Sequence, residues 1–219
     1  MERNAVVFGG TGLIGTLLIE FLCEDTFFDR VKVLTRRPIT LSHPKIQSKI
    51  LDFSDGSTFK KEIEKNDLVF SALGTTQAKV KGDKQVYRSI DFDMTLKIAK
   101  ACKVKNASSF LFVSSSGANA LSSNFYLKLK GEIENAVLEL DLPSTLILRP
   151  SLLLGTRNEY RFGERIAQRV MPLTSFLFPP YMKPISATLV AKILIDLSKK
   201  ENSVKSKTIE NKALLDYVF

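Results

Sequence analysis

Asn4-Ala5-Val6-Val7-Phe8-Gly9-Gly10-Thr11-Gly12-Leu13-Ile14-Gly15 is the stretch whose reading decides the fold. Residues 5–8 are an unbroken apolar run, the pattern of a central parallel strand covered on both faces. Gly9, Gly12 and Gly15 follow at equal spacing, and each has its own physical task. Gly9 permits the tight turn off the strand, Gly12 lets a pyrophosphate approach backbone N–H groups, and Gly15 lets the next helix pack against the sheet. The N-terminus of that helix, with free N–H groups and a positive dipole end, then faces the phosphates. A glycine repeat alone also fits a plain turn between two core elements. Its place between a strand pattern and a helix pattern is the context that a dinucleotide-binding loop requires.

Outward from this loop, strand and helix patterns alternate. Ile14, Leu17, Leu18, Phe21 and Leu22 recur at helical spacing and predict a helix to about Glu24. A second strand is expected over 31–34, ending at Thr35-Arg36-Arg37 before Pro38, and a short third strand over 49–52. A polar helix over 57–65, with Ser57 as its cap, precedes a fourth strand over 67–73 that stops at Gly74-Thr75-Thr76. Ile90, Met94, Ile98 and Ala101 mark a longer helix. The fifth strand, 109–113, opens into Ser114-Ser115-Ser116-Gly117. A helix from about Asn124 then buries Leu129, Ile133, Ala136 and Leu140, and the sixth strand, 144–148, ends at Arg149-Pro150. Such alternation implies right-handed βαβ crossovers and an α/β fold with a doubly wound parallel sheet.

Past Gly155 the pattern changes. Pro172, Pro179, Pro180 and Pro184, interleaved with Phe176, Phe178 and Tyr181, exclude one continuous helix. A last helix is expected over about 186–197 and a short final strand near 207–210. The chain is therefore read as a single domain, 1–219, in which 151–219 is an elaboration on the same sheet. The proline and aromatic segment is expected either to wall the substrate side or to be a plainly packed surface loop.

Composition narrows the classes. The 219 residues suit one domain with a substantial core, and 44% apolar with 25% charged residues is ordinary for a globular protein. No apolar run is long enough to span a bilayer, and the first apolar stretch is the strand itself, so neither a membrane span nor a signal peptide is expected. Cys23 and Cys102 fall in predicted helices without metal-ligand spacing, which predicts a reduced, cytoplasmic setting. His43 is the only histidine, so His triads have little material and no metal site is expected. The net charge of +9 is scattered apart from clusters at 79–84 and 199–207. A basic surface favours anionic ligands, but no nucleic-acid module is visible and nucleic acid is not an expected partner.

Two places carry chemistry. In a doubly wound dinucleotide fold, the residue about 20 positions past the glycine loop meets the adenosine ribose; a carboxylate there binds the 2′-hydroxyl of NAD, an arginine the 2′-phosphate of NADP. Thr35, Arg36 and Arg37 stand there, with no carboxylate. A planar guanidinium suits phosphate, so NADP(H) is favoured over NAD(H), against the simpler reading of two surface arginines. Asp52 with Phe53, past the third strand, is a candidate border for the adenine. The second place is Tyr126 and Lys130, i and i+4 on one helix face. A phenol of ordinary pKa, ~10, is a poor acid–base group at neutral pH, and a neighbouring ammonium favours its ionised form. The pair alone also fits a solvated helix face. Its helix starts just after the serine-rich end of strand five, at the carboxyl edge where such sheets bind ligands. A hydroxyl from Ser114, Ser115 or Ser116 would there bond a substrate carbonyl.

Taken together, Gly-Gly-Thr-Gly-Leu-Ile-Gly, Val-Ser-Ser-Ser-Gly-Ala, Tyr-Leu-Lys-Leu-Lys-Gly-Glu and Leu-Arg-Pro-Ser-Leu-Leu-Leu-Gly resemble the short-chain dehydrogenase/reductase (SDR) superfamily. Leu73-Gly74-Thr75-Thr76, Ser122-Ser123-Asn124-Phe125-Tyr126 and Glu210-Asn211-Lys212-Ala213 are most similar to its atypical group that includes the HIV Tat-interacting-protein-like oxidoreductases. The resemblance implies a Rossmann fold, NADP(H) and a Ser/Tyr/Lys set. It implies Tyr126 as proton donor or acceptor, Lys130 on the nicotinamide ribose, and Ser115, with Ser116 open, on the carbonyl. Cofactor contacts would come from Gly9, Thr11, Gly12, Leu13, Ile14 and Gly15, then Arg36 and Arg37, Asp52 and Phe53. Leu73, Gly74 and Thr75 would touch the cofactor backbone, and Pro150-Ser151 would approach the carboxamide. One departure is visible: Asp91 and Asp93 lie where many SDR members carry a proton-relay asparagine.

These readings predict an oxidoreductase that moves hydride between a nicotinamide and a small carbonyl or alcohol substrate. The alternative is an NADPH-binding redox sensor or scaffold with little catalysis, acting through a protein partner or a homo-oligomer. Nucleotide-sugar epimerisation shares the motif, but this length leaves little for a sugar-nucleotide domain.

Overall fold

A computed structural model of the chain describes residues 2–155, 179, 181–200 and 205–219. Its main sheet contains β1 (Asn4–Phe8), β2 (Arg30–Thr35), β3 (Ile46–Ile50), β4 (Leu68–Ser71), β5 (Ser109–Val113) and β6 (Thr145–Arg149). After a short pair, β7 (Leu153–Leu154) with β8 (Ile185–Ser186), the strand β9 (Ser206–Glu210) joins the same main sheet. The order is β3-β2-β1-β4-β5-β6-β9, and every pairing is parallel. The chain runs one way from β1 to β3 and the other way from β4 onward, so the switch point lies between β1 and β4. Ligands of doubly wound sheets bind at that crevice, outside the carboxyl ends of the strands.

The helices cover both faces. α1 (Leu13–Glu24) and α6 (Ala187–Lys199) lie on one; α2 (Ser57–Glu62), α4 (Met94–Lys105) and α5 (Phe125–Leu138) lie on the other. Short α3 (Lys84–Arg88) leads by a π turn, Ser89–Asp93, into α4, and α7 (Asn211–Leu215) follows β9. β1 shows why its run is unbroken: Ala5 and Val7 join the core with α1 and α6, whereas Val6 and Phe8 join the other core. Phe8 meets the Phe59 ring edge-on at 5.3 Å. Each such fully buried side chain contributes about 1.5–3 kcal/mol of transfer free energy. Among the described residues, no helix is long and apolar enough to cross a membrane.

The fold departs from the sequence expectations in several places. The third strand lies at Ile46–Ile50, not 49–52, because it is an edge strand with four exposed residues and little apolar signal. Ser57 does not cap α2; Gly56 does so, and Asp55 Oδ1 accepts the Ser57 N–H at 2.8 Å. The helix expected around Ile90 is interrupted by the π turn. The β7–β8 pair and α7 carry too few residues for a periodic signal. Pro172, Phe176, Phe178 and Pro180 of the proline and aromatic segment lie outside the described residues.

Candidate dinucleotide and catalytic site

Because the strands are parallel, Gly9, Arg36, Asp52, Gly74, Ser115 and Pro150 follow the carboxyl ends of successive strands along one edge. Gly9 leaves β1 at φ +83°, and a Cβ there would lie 2.6 Å from the Ala72 carbonyl carbon, just past β4. The Gly12 N–H donates to the Gly9 carbonyl at 2.9 Å and closes the turn. A Cβ at Gly15 would stand 2.1 Å from that same Gly9 oxygen, so Gly15 serves the packing of α1 on its own loop rather than on the sheet. Thr16, unremarked in the sequence, braces the loop by donating from Oγ1 to the Gly10 carbonyl at 3.1 Å.

α1 begins at Gly12 without a side-chain cap, and Thr11 and Gly12 are exposed. Its first N–H groups therefore lack the partner that a capping side chain would provide, an arrangement that fits a pyrophosphate. Ile14 is buried, and Leu13 packs against Gly155, where a Cβ would meet Leu13 Cδ1 at 2.8 Å. The side chains of these two residues serve packing.

At the end of β2, Thr35 Oγ1 donates to the Arg37 carbonyl at 2.9 Å and fixes the turn. Arg36 and Arg37 are exposed, and among the described residues neither pairs with a carboxylate. Asp52 is exposed as well; the Ser54 N–H on its Oδ1, at 2.8 Å, holds its carboxyl below the usual range. Phe53 is different. Its side chain is 3% exposed and lies edge-on to Phe8 at 6.0 Å and Phe59 at 5.1 Å, so its ring belongs to the core.

Past β4, the backbone through Leu73, Gly74 and Thr75 is held from beneath. The Thr75 N–H donates to Asp91 Oδ1 at 2.8 Å, and the Tyr87 hydroxyl donates to the Thr75 carbonyl at 3.1 Å. Asp91 sits in the π turn, 1% exposed. Its Oδ2 lies 2.8 Å from Lys130 Nζ on α5. Burial by itself would push the Lys130 ammonium toward its neutral form, but Asp91 together with Tyr126 and Glu134 outweighs it and holds the lysine above its ordinary pKa. Lys130 Nζ also stands 5.8 Å from the Tyr126 ring centroid, and the Tyr126 ring meets Tyr87 edge-on at 6.4 Å. Asn124 caps α5, its Oδ1 accepting the Leu127 N–H at 3.1 Å.

The three serines after β5 separate by what they touch. Buried Ser114 donates to Glu134, and Ser116 Oγ donates to the Tyr181 carbonyl at 2.7 Å. Among the described residues Ser115 Oγ reaches only the Ser116 carbonyl, at a long 3.4 Å, so there its hydroxyl is the least committed of the three. Glu134 also accepts from Arg149 Nε at 3.0 Å, and Arg149 donates onward to Glu210 at 2.6 Å. This network ties α5 to the carboxyl ends of β5, β6 and β9. Pro150 is buried and its carbonyl accepts the Ser116 N–H at 2.9 Å. Ser151 N–H donates to buried Asn211 Oδ1 at 2.9 Å.

Sequence reasoning missed Asp91 as a partner of Lys130, Glu134 with Arg149, and Gly131. Ile90 and Met94 keep the four-residue spacing of an α-helix, so nothing in the pattern betrays the π turn that turns Asp91 inward.

Residues 9–198 match a family model described as NAD(P)H-binding. The protein named "Protein FMP52, mitochondrial" from Candida albicans is 34% identical over 214 residues, spanning 94% of this chain and 93% of that one. Its namesake from Debaryomyces hansenii is 34% identical over 205 residues, spanning 90% and 88%. These names overturn the cytoplasmic expectation. Cys23 and Cys102 are free and buried, and buried thiols are inert in any compartment, so they carry no address. Among solved structures, a UDP-N-acetylglucosamine 4-epimerase from Methanobrevibacter ruminantium M1 superposes with a TM-score of 0.74 at 19% identity, covering 95% of this chain and 76% of that one. A Rossmann-fold NAD(P)-binding family protein from Shigella flexneri gives 0.62 at 17%, covering 91% and 88%. At these identities the shared property is the fold.

Proposed function

The chain belongs to the NAD(P)H-binding family, with the Rossmann fold of the atypical SDR proteins, and we propose that it is an NADP(H)-dependent oxidoreductase acting on a carbonyl or alcohol carbon. The observation that carries this reading is Lys130, a buried and charge-paired lysine beside Tyr126 on the helix that follows the serine loop. A bound nicotinamide would supply or accept the hydride. Tyr126 would give the proton to the substrate oxygen or take it away, and the Ser115 hydroxyl would orient that oxygen. Lys130 would hold the ribose hydroxyls and keep a positive charge near the phenol as it ionises. Arg36, with Arg37 beside it, would receive the 2′-phosphate. Pro150 would face the carboxamide, and residues 151–219 would complete the same domain on the substrate side. The names of the relatives support a mitochondrial setting.

The test is NADPH consumption against a panel of aldehydes and ketones, with Tyr126→Phe beside the parent. The expected loss in kcat is about 10²–10⁴-fold, the usual size of a general acid's contribution. A turned-over substrate on which Tyr126→Phe keeps full rate removes the tyrosine from the mechanism. A second reading, an NADP(H)-binding sensor, is favoured by Asp91, a charged residue where the relay asparagine is expected. It predicts cofactor binding without turnover, and a protein association that changes with NADP(H) occupancy.

A further inference from the structure

Asp91 is the most deeply buried carboxylate beside Tyr126 and Lys130, and the proton-transfer reading gives it nothing to do. Its two oxygens are used separately. Oδ1 accepts the Thr75 backbone N–H at 2.8 Å, and Oδ2 lies 2.8 Å from Lys130 Nζ. Thr75 belongs to the loop leaving β4 at the switch point; Lys130 stands on α5, one turn after Tyr126. We propose that Asp91 is a positioning residue whose carboxylate joins the Thr75 loop to the Lys130 ammonium and so fixes how both meet a dinucleotide. The proposal rests on the dinucleotide-binding reading given above.

Three observations support it. Asp91 is turned inward by a π turn, whereas the next two residues are progressively more exposed; such turns inside helices recur at functional sites. The pair is nearly dry, with side chains 8% and 1% exposed. For stability alone, apolar residues of similar volume would join the two helices at least as well. The ammonium also has three N–H donors, and the contact with Asp91 leaves the others for ribose hydroxyls and the tyrosine side. The other ionisable groups acting on Lys130 are Tyr126 and Glu134, both on its own helix. Glu134 is already engaged by Ser114 and Arg149. Asp91 therefore supplies the balancing charge.

Asp91→Asn keeps the shape and the acceptor for Thr75 but removes the charge. Burial then favours the neutral amine of Lys130 in the folded state, while the unfolded lysine keeps its proton up to about pH 10.4. The unfolded state binds the extra proton, so the variant gains stability as pH rises across that window. The expected result is a Tm deficit relative to the parent that is largest near pH 7 and narrows toward pH 10. NADPH titrated by fluorescence should bind about tenfold more weakly to the variant, and the ratio of the two Kd values should grow from pH 6.5 to 9. Adding Lys130→Met to Asp91→Asn should abolish both pH dependences. A deficit that stays flat with pH means that Asp91 does not hold the Lys130 charge, and a ratio that stays flat means that the contact serves packing alone; either result overturns the proposal. If the parent binds neither NADPH nor NADH, the dinucleotide reading and this proposal fall together; if it binds and the ratio is flat, only the proposal falls. Neither measurement uses turnover, so the role of Tyr126 is judged separately.

Discussion

Gly131 lies so close under Ala120 that a Cβ at 131 would stand 2.1 Å from the Ala120 backbone nitrogen. The glycine follows Lys130 on α5, and Ala120 belongs to the loop that carries Ser115. The Asn119 N–H, donating to the Leu127 carbonyl at 3.0 Å, secures the same contact one turn earlier. The loop after β5 therefore rests directly on the backbone of the helix that presents Tyr126 and Lys130. Without that contact, Gly131→Ala would favour the helix by about 1 kcal/mol. With it, the added methyl meets backbone atoms that cannot turn aside, and a net loss of about 2 kcal/mol is expected. Urea and thermal unfolding check the sign. A variant as stable as the parent, or more so, means that the loop does not rest on α5.

Glu134 gathers Ser114 and Arg149 inside the protein, and its hydrogen bonds hold the Arg149 guanidinium even more firmly protonated than usual. The carboxylate side chain is 4% exposed, whereas Glu210, the other acid on Arg149, is half exposed. Glu134→Ala strands a partly buried cation and a serine hydroxyl, and a loss of about 3 kcal/mol is expected. Glu134→Leu combined with Arg149→Met should cost clearly less than Glu134→Ala alone, because no orphaned charge remains. Equal losses in urea unfolding would show that the pair acts only through packing.

The sheet was legible because its central strands are buried on both faces, and such strands write themselves as apolar runs: β1 and β5 are the clearest cases. The glycine loop was legible because close approach between backbones admits only glycine at Gly9 and Gly15. β3 shifted by three residues because an exposed edge strand leaves no such trace. The core packing of the Phe53 ring was not legible, because an aromatic residue just past a strand end reads alike whether it faces a ligand or the core. The Asp91–Lys130 and Glu134–Arg149 pairs were invisible for another reason. Their partners are 39 and 15 positions apart, and only the folded sheet brings them together.

In the proposed function, Arg36 would carry the choice of cofactor. It is exposed just past the buried end of β2, one strand from the glycine loop, and no carboxylate among the described residues competes for it. A charge-assisted contact with a 2′-phosphate contributes about 1.5–3 kcal/mol, so Arg36→Asp should weaken NADPH binding by about tenfold or more, while NADH binding holds or strengthens as the new carboxylate meets the 2′-hydroxyl. Parallel titrations of both cofactors check this. Equal affinities of the parent protein for NADPH and NADH would refute the 2′-phosphate reading at once.

Asp67 gives the protein a pH dependence far from the candidate site. It lies just before β4, 1% exposed, with its Oδ2 accepting the Glu64 N–H at 2.8 Å. Burial pushes its carboxyl above the ordinary range, and the opposing pull of the Glu64 N–H and of Lys32 does not cancel it. An acid whose folded pKa is raised keeps its proton in the native state after the unfolded chain has released its own. Stability therefore falls as pH rises from about 4, the unfolded value, through the raised one, and stays lower above it. Asp67→Asn keeps an acceptor for the Glu64 N–H and has no proton to lose. The variant should melt a few degrees above the parent at pH 7, and the difference should close as pH falls below about 4, where Asp67 is protonated in both states. Melting curves of the two proteins across pH 3.5 to 8 measure this directly. An Asn variant that melts below the parent at pH 7 would mean that the charged carboxylate stabilises this end of the sheet, with Lys32 outweighing the cost of burial.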